Sequence, residues 1–125
     1  MKIGNKTIGG DESVFIIAEL SANHNGNIET AFKTIKAAKR AWADCIKLQT
    51  YTQDTIKLYS KKDDFLIKGI IWEGKNLYEL YQEAYTPREW HKALFDAATE
   101  EGLLCFYSLF EKTADDFLVK LNTHD

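Results

Sequence analysis

The chain has 125 residues, of which 45% are hydrophobic and 28% charged, proportions typical of a soluble globular protein of at most one domain. Its net charge of −3 argues against a nucleic-acid-binding surface or an anchor to an anionic membrane. The sequence contains neither an apolar run long enough to span a bilayer nor the apolar core of a secretory signal. Cys45 and Cys105 lie in separate apolar segments without metal-ligand spacing. We therefore expect a cytoplasmic protein whose two thiols are reduced.

The first half of the chain predicts a hairpin, a strand, a helix and a second strand. The hairpin is expected over residues 3–8, around Gly4, and the first long strand over residues 14–20. Asn27 can cap a helix that runs to about Ala41, because apolar residues recur along this segment at helical spacing. Residues 44–50 are apolar enough for the second long strand.

A long connection over residues 51–85 follows the second strand and is more often functional than idle at this length. It is expected to contain a short helix over residues 77–84, capped by Asn76 with Glu79 three residues later.

A further strand and two helices are predicted after this connection. Thr86 and Glu89 have the spacing of a capping box for a helix that Gly102 ends. Residues 103–108 predict the third strand, and a last helix is expected from Thr113. Strands that alternate with helices imply an α/β fold with parallel pairing and right-handed crossovers.

The stretch FIIAELSANHNG, residues 15–26, predicts a buried strand that ends in polar side chains. Ligands meet the carboxyl ends of parallel strands, so Glu19 is a candidate site residue. Lys47 and Gln49 share one face of the next strand, where a buried ammonium requires an anionic partner. That partner is either Glu19, in a structural ion pair, or a bound phosphate or carboxylate.

Other polar residues near these strand ends have both a functional and a structural interpretation. Asn23 and Asn25 can bind ligand hydroxyls or close an Asx turn. His24 lacks a second ligand at metal-binding spacing, so we do not assign it to a metal. Ser108 can donate to a phosphate or carboxylate, or can simply end the third strand.

Three long motifs resemble the sialic acid synthase family: FIIAELSANHNG, IKLQTYTQDT and EAYTPREWHKALFDAATEEGLLCF. The segments DDFLIKG and WEGKNLYELYQEAYTPREWH are similar to the pseudaminic-acid type within that family. The resemblance implies a (β/α)₈ barrel followed by an antifreeze-like domain, in a domain-swapped homodimer. It also implies condensation of phosphoenolpyruvate with an acetamido sugar, here a 2,4-diacetamido-trideoxy sugar, with N-acetylneuraminate or legionaminate synthesis as the alternative.

The resemblance also implies a role for each candidate residue. Glu19 would lie beside the reacting carbonyl of the sugar, and Lys47 and Ser108 would contact phosphoenolpyruvate. Gln49 would contact the acetamido sugar, and Asn23 and Asn25 the rim of the substrate site. A divalent metal, manganese or magnesium, would polarise the carbonyl, and its histidine ligands would lie beyond this chain.

The chain departs from the family pattern in sequence and in length. Trp42 stands where the family has a glycine, and Tyr107 and Leu109 alter the motif of the third strand. Tyr107 is therefore expected close to the phosphate site. A complete barrel takes about 250 residues, so the fold expected for these 125 residues is a partial TIM barrel of about three β/α units. Such a piece is expected to be inactive by itself, whether it is part of a longer enzyme, a truncated remnant, or a chain that associates with a complementing one.

Overall fold

The computed structural model describes residues 1–56 and 76–110. Its central element is a three-stranded parallel sheet in the order β3 (Ile17–Ser21), β4 (Cys45–Thr50) and β5 (Leu104–Leu109). Helix α1 (Ile28–Arg40) connects the first two of these strands, and helix α4 (His91–Glu100) precedes the third. The predicted α/β order is confirmed. The predicted helix from Thr113 lies outside the described residues.

A small antiparallel hairpin precedes the parallel sheet, as the sequence predicts. Its strands are β1 (Lys2–Ile3) and β2 (Lys6–Thr7), with Ile3 opposite Lys6. Gly4 lies in the turn at φ +56°, a backbone conformation that glycine adopts without steric cost.

The strand that carries Glu19 begins later than the sequence predicts. Val14 is 82% exposed, and pairing with β4 starts only at Ile17. The Asp44 side chain accepts a hydrogen bond from the Ile16 N–H (2.9 Å), and the Asp44 N–H donates to the Ile16 carbonyl (2.8 Å). The predicted start at Val14 is wrong because no β4 residue is paired with the segment before Ile17.

A register shift interrupts β3 just after Glu19. Glu19 pairs with Lys47 and Ser21 pairs with Leu48, so Leu20 is the additional residue of a bulge. Leu20 is buried, and Ser21 adopts a positive φ of 50°. The bulge thus lets Leu20 enter the core while β3 ends and the following loop begins.

Helix α1 forms as predicted from its cap and its apolar spacing. The Asn27 side chain accepts from the N–H groups of Glu29 (2.8 Å) and Thr30 (3.3 Å). Ala31, Ile35 and Ala38 recur at helical spacing on its buried face.

Helices α1 and α4 end in the same hydrogen-bonded motif. After α1, Trp42 donates its N–H to Lys39 and Ala43 donates to Ala38. After α4, Gly102 donates to Thr99 and Leu103 donates to Ala98. Both ends are Schellman motifs, whose residue after the cap takes a positive φ: +64° at Trp42 and +68° at Gly102.

The connection after β4 contains two helices among the residues described. Helix α2 (Gln53–Ile56) is not predicted from sequence, whereas α3 (Leu77–Ala84) has the predicted bounds. The predicted capping box of Asn76 and Glu79 is confirmed. The two helices are joined by the Tyr78 hydroxyl, which donates to Asp54 (2.6 Å). Residues 57–75 lie outside the described part of the chain.

Helix α4 is preceded by a 3₁₀ turn, Arg88–Trp90, that has no side-chain capping hydrogen bond. The predicted capping box at Thr86 is therefore wrong. The Thr86 side chain is buried instead and lies 3.1 Å from the ring of His24. The Thr86 hydroxyl, which the local spacing predicted as a helix cap, is used in a tertiary contact with His24 instead.

The core lies between one face of the sheet and the helices α1 and α4. Its buried members are Leu20, Ala31, Ile35, Ala38, Ala43, Ile46, Leu48, Leu94, Ala98 and Leu103. The opposite face of the sheet carries Glu19, Lys47 and Gln49, which retain partial exposure. Across residues 1–56 and 76–110, no helix is long and apolar enough to cross a membrane.

Candidate functional site

A hydrogen-bonded cluster of Glu19, Lys47 and Gln49 occupies the open face of the sheet. Glu19 and Lys47 are register partners on β3 and β4, and their charged atoms Oε2 and Nζ lie 3.0 Å apart. The Gln49 amide donates to the second carboxylate oxygen, Oε1, at 3.1 Å. Of the two partners that the sequence left open for Lys47, the structure shows Glu19. The side chains of Lys47 and Glu19 are 26% and 44% exposed, so a ligand can reach the pair.

Ser108 lies beside this cluster on the neighbouring strand. It is the register partner of Gln49, and register partners in a parallel sheet present their side chains to the same face. The structure thus places four predicted site residues on adjacent strands near their carboxyl ends: Glu19, Lys47, Gln49 and Ser108.

Asn23 and Asn25 lie in the loop between β3 and α1, and both are exposed. Asn25 has a positive φ of 51°, and the Asn23 N–H donates to the Leu20 carbonyl at 2.9 Å. Among the residues that the structure describes, no hydrogen bond joins either amide side chain to Glu19, Lys47 or Gln49. Both asparagines therefore lie on the rim of the strand ends rather than within the cluster.

His24 anchors this loop to the rest of the protein. Its ring is fully buried, and Nδ1 accepts from the Gly26 N–H at 3.2 Å. The proton of the neutral ring is therefore on Nε2, which donates to Thr86 Oγ1 at 3.1 Å. The Thr86 hydroxyl in turn faces the Ser21 carbonyl at 3.5 Å. Burial lowers the pKa of His24, which favours this neutral form.

Trp90 completes the surroundings of His24. The two rings meet edge to face at a centroid distance of 5.3 Å. His24 is thus enclosed by partners that bind its neutral ring, and the structure gives it no role as a metal ligand. We refer to His24, Thr86 and Ser21 as the loop clamp.

A second buried histidine holds the end of β4 against α4. His91 Nδ1 donates to the Pro87 carbonyl at 3.0 Å, and Nε2 accepts from the Thr50 hydroxyl at 2.8 Å. Burial lowers the pKa of His91, and the bond to Pro87 partly opposes that shift. His91 is fully buried, so it is a packing residue of the core.

Tyr107 does not approach the predicted phosphate site. Its ring stacks on His91 at 5.3 Å and its hydroxyl donates to the His91 carbonyl at 3.1 Å. It is the register partner of Leu48, so it faces the helices, whereas Ser108 faces the cluster. The expectation that Tyr107 lies close to this site is wrong, because the alternation of strand side chains places it on the other face.

Sequence reasoning missed Thr50 and assigned Thr86 a different role, although each is the partner of a buried histidine. Thr86 meets His24 across 62 positions, and Thr50 meets His91 across 41 positions. No local spacing encodes such pairs. The only available signal was the burial of two histidines, each of which requires a partner for its ring nitrogens.

The cluster is suited to an anionic ligand that also offers hydrogen-bond acceptors. The Lys47 ammonium has three donors, and the bond to Glu19 uses one of them. No group of three or more histidine, cysteine, aspartate or glutamate residues within 1–56 and 76–110 could hold a metal ion. The described residues therefore do not fit a resident manganese or magnesium ion, and we assign no chemical step to one.

Comparison with known proteins identifies close relatives. The NeuB family matches residues 34–124. The chain is 55% identical over 122 residues to a pseudaminic acid synthase of Campylobacter jejuni subsp. jejuni serotype O:2. The aligned residues cover 98% of this chain and 35% of that protein. It is 49% identical over 107 residues to the pseudaminic acid synthase of Helicobacter pylori, covering 86% of this chain and 32% of the relative. The chain thus spans about a third of the length of these relatives.

Solved structures support the same relationship. The N-acetylneuraminic acid synthetase of Leptospira borgpetersenii superposes with a TM-score of 0.76 at 25% identity, over 97% of this chain and 38% of that structure. The predicted partial barrel is confirmed. The neighbour is a synthetase of the sialic acid type, and the parallel α/β arrangement of this chain superposes on a part of that structure. With the family match over residues 34–124 and the high identity to its members, the chain belongs to the NeuB family.

Proposed function

We propose that this chain forms part of the substrate site of a pseudaminic-acid-type synthase, which condenses phosphoenolpyruvate with a 2,4-diacetamido-trideoxy sugar. The observation that carries the proposal is the cluster of Glu19, Lys47 and Gln49 on one open sheet face. The 55% identity to a pseudaminic acid synthase favours this sugar over those of the N-acetylneuraminate and legionaminate synthases.

In the proposed reaction, the methylene carbon of phosphoenolpyruvate attacks the aldehyde carbon of the sugar. The π bond of the aldehyde breaks, and its oxygen takes up a proton to become a hydroxyl. Water then adds to the central carbon of the enolpyruvate, and the phosphate leaves as the carbon–oxygen bond to that carbon breaks. Lys47 carries the positive charge that binds the anionic co-substrate, and Ser108 adds a hydroxyl donor from the neighbouring strand.

The other residues of the cluster orient the sugar. Glu19 keeps Lys47 in place through the 3.0 Å ion pair and presents its carboxylate beside the reacting carbonyl. Gln49, held by Glu19, offers its amide oxygen to an acetamido N–H. Asn23 and Asn25 supply further amides at the rim. The role of each is positional: the groups fix the two reactants close together, which lowers the entropic barrier to carbon–carbon bond formation.

The test uses a chimaera, because the chain spans about a third of its relatives. The 122 matching residues of the Campylobacter jejuni enzyme are replaced by those of this chain, and phosphate release from phosphoenolpyruvate is measured with the diacetamido sugar. We expect turnover above a blank without sugar. A correctly folded chimaera that shows no turnover would contradict the proposal and favour the truncated remnant.

Lys47→Ala in the chimaera tests the assigned role of the cluster. We expect it to weaken phosphoenolpyruvate binding by about 2 kcal/mol, roughly thirtyfold, because a charge-assisted contact is lost. Lys92→Ala is the matched control, since Lys92 is 70% exposed and pairs with Asp96 on α4. Unchanged affinity after Lys47→Ala would show that Lys47 serves only the ion pair with Glu19.

A further inference from the structure

A cavity of about 470 Å³ separates the β3–α1 loop from helix α3. The loop contributes Ala22, Asn23 and Asn25 to its lining, and α3 contributes Leu80, Glu83 and Ala84. Its volume falls within the range of small-molecule sites, and its two walls come from segments that are distant in sequence. The cluster of Glu19, Lys47 and Gln49 does not line it.

The lining combines two amides and the Glu83 carboxylate with small apolar side chains. Asn23 and Asn25 each offer a carbonyl acceptor and an NH₂ donor, while Ala22, Leu80 and Ala84 offer methyl and methylene carbons. An acetamido group has the complementary composition, since it carries one N–H donor, one carbonyl acceptor and a methyl group. A hydroxyl substituent would form hydrogen bonds with the amides, but it would leave the apolar side chains of the lining in contact with water.

The charges near the cavity differ from those of the cluster. No lysine or arginine occurs among the described residues that line the cavity. The cluster, by contrast, contains the Lys47 ammonium. Glu83 adds a negative charge to the cavity lining, whereas Lys47 offsets that of Glu19 in the cluster. An anionic co-substrate is therefore repelled more by the cavity than by the cluster, and an uncharged substituent is the better ligand for the cavity.

The cavity borders the loop that directly follows β3, the strand that carries Glu19. Asn23 follows Glu19 by four residues, so their Cα atoms are at most about 14 Å apart. The turn closed by the Asn23 N–H and the Leu20 carbonyl (2.9 Å) shortens that span. The loop clamp holds the loop through the buried His24, which fixes the position of the amides before a ligand arrives.

We propose that this cavity binds one acetamido substituent of the sugar and that α3 forms its specificity wall. The inference rests on the proposed function, in which the sugar carries two acetamido groups. Gln49 serves one of them, and the cavity holds the other, with its methyl group against Leu80 and Ala84.

Ala84→Leu in the chimaera tests the inference, because the larger side chain fills part of the cavity. We expect the KM for the diacetamido sugar to rise at least tenfold while the KM for phosphoenolpyruvate stays within twofold. Ala93→Leu is the matched control, since Ala93 lines a different groove, between α1 and α4, and should change neither value. An equal effect of Ala84→Leu on both substrates, or no effect on either, would overturn the inference.

A binding measurement separates failure of the inference from failure of the proposed function. ¹⁵N-labelled chain is titrated with N-acetylglucosamine and, in parallel, with glucose, which lacks the acetamido group. We expect saturable shifts of the amide signals of Ala22, Asn23, Asn25 and Leu80 with the acetylated sugar alone. No shifts, or equal shifts with glucose, would overturn the inference even if the chimaera is active. Selective shifts in the absence of turnover would contradict only the proposed function.

Discussion

Both buried histidines are neutral, and each is paired with a threonine from a remote part of the chain. His24 donates through Nε2 to Thr86, whereas His91 accepts through Nε2 from Thr50. The two rings are therefore opposite tautomers, set by what their other nitrogen contacts: an N–H at Gly26 and a carbonyl at Pro87. Each pair joins the end of a strand or its loop to the segment at the start of α4.

Thr86→Val should destabilise the chain by about 1–3 kcal/mol, because it leaves the buried Nε2–H of His24 without an acceptor. Thr86→Ser keeps the hydroxyl, so its free energy of unfolding should decrease distinctly less. Chemical denaturation followed by circular dichroism measures both. Equal losses for valine and serine would show that the methyl group of Thr86 contributes as much as its hydroxyl, which would contradict the dominant role of the hydrogen bond to His24.

The cysteines should be almost unreactive in the folded chain. Burial raises the pKa of the Cys45 thiol to about 11 and that of Cys105 to about 12, so very little thiolate is present at pH 8. We expect alkylation by iodoacetamide at pH 8 to be roughly a hundredfold slower than in urea. Rapid labelling of either thiol without denaturant would contradict the burial of these two strands.

At the scale of helices and strands, local signals predicted helix starts well wherever the capping side chain bonds to its own helix. Asn27 and Asn76 cap α1 and α3 as expected, because each side chain bonds to nearby backbone N–H groups of its own helix. Thr86 has the same kind of spacing, yet its hydroxyl bonds to His24. The start of β3 was wrong for a related reason, since a strand begins only where a partner strand is available.

Trp42→Gly should stabilise the chain by about 1 kcal/mol, because Trp42 has φ +64° in a Schellman motif and is 85% exposed. The ring packs against little, so its removal sacrifices few contacts. Ala41→Gly is the control, since Ala41 has an ordinary φ of −86° and should gain nothing. Urea denaturation gives both values. Equal or lower stability of Trp42→Gly would show that the indole makes a stabilising contact in solution.

For the whole molecule, the lowered histidine pKa values determine how stability depends on pH. His24 and His91 have an ordinary value of 6.5 that burial lowers in the folded chain. Between the folded and the unfolded values, the unfolded chain binds more protons, so the free energy of unfolding decreases as the pH falls below about 6.5. The carboxylate of Asp44 affects stability at a lower pH. Its pKa is lowered by the bond from Ile16 and by Lys6, so its contribution disappears only below its ordinary value of 3.8.

We therefore expect the urea concentration at the unfolding midpoint to decrease as the pH is lowered from 7.5 to 5.5. This range lies above the pH at which the contribution of the Asp44 carboxylate begins to change. His24→Gln removes one of the two buried rings and should reduce the dependence of the midpoint on pH, whatever it does to stability at pH 7.5. Denaturation curves at several pH values provide the measurement. A midpoint that is constant over this range would mean that neither ring resists protonation in the folded chain.

The sequence by itself determined the α/β order, the caps of α1 and α3, and the candidate residues Glu19, Lys47, Gln49 and Ser108, because these follow from spacing along one strand or one helix. Tertiary structure decided the rest. Only the register of β3, β4 and β5 shows that Lys47 meets Glu19 and that Tyr107 turns away from Ser108. The hydrogen bond of His24 with Thr86 joins residues 62 positions apart, and no local pattern records which distant segments the hydrophobic core brings together.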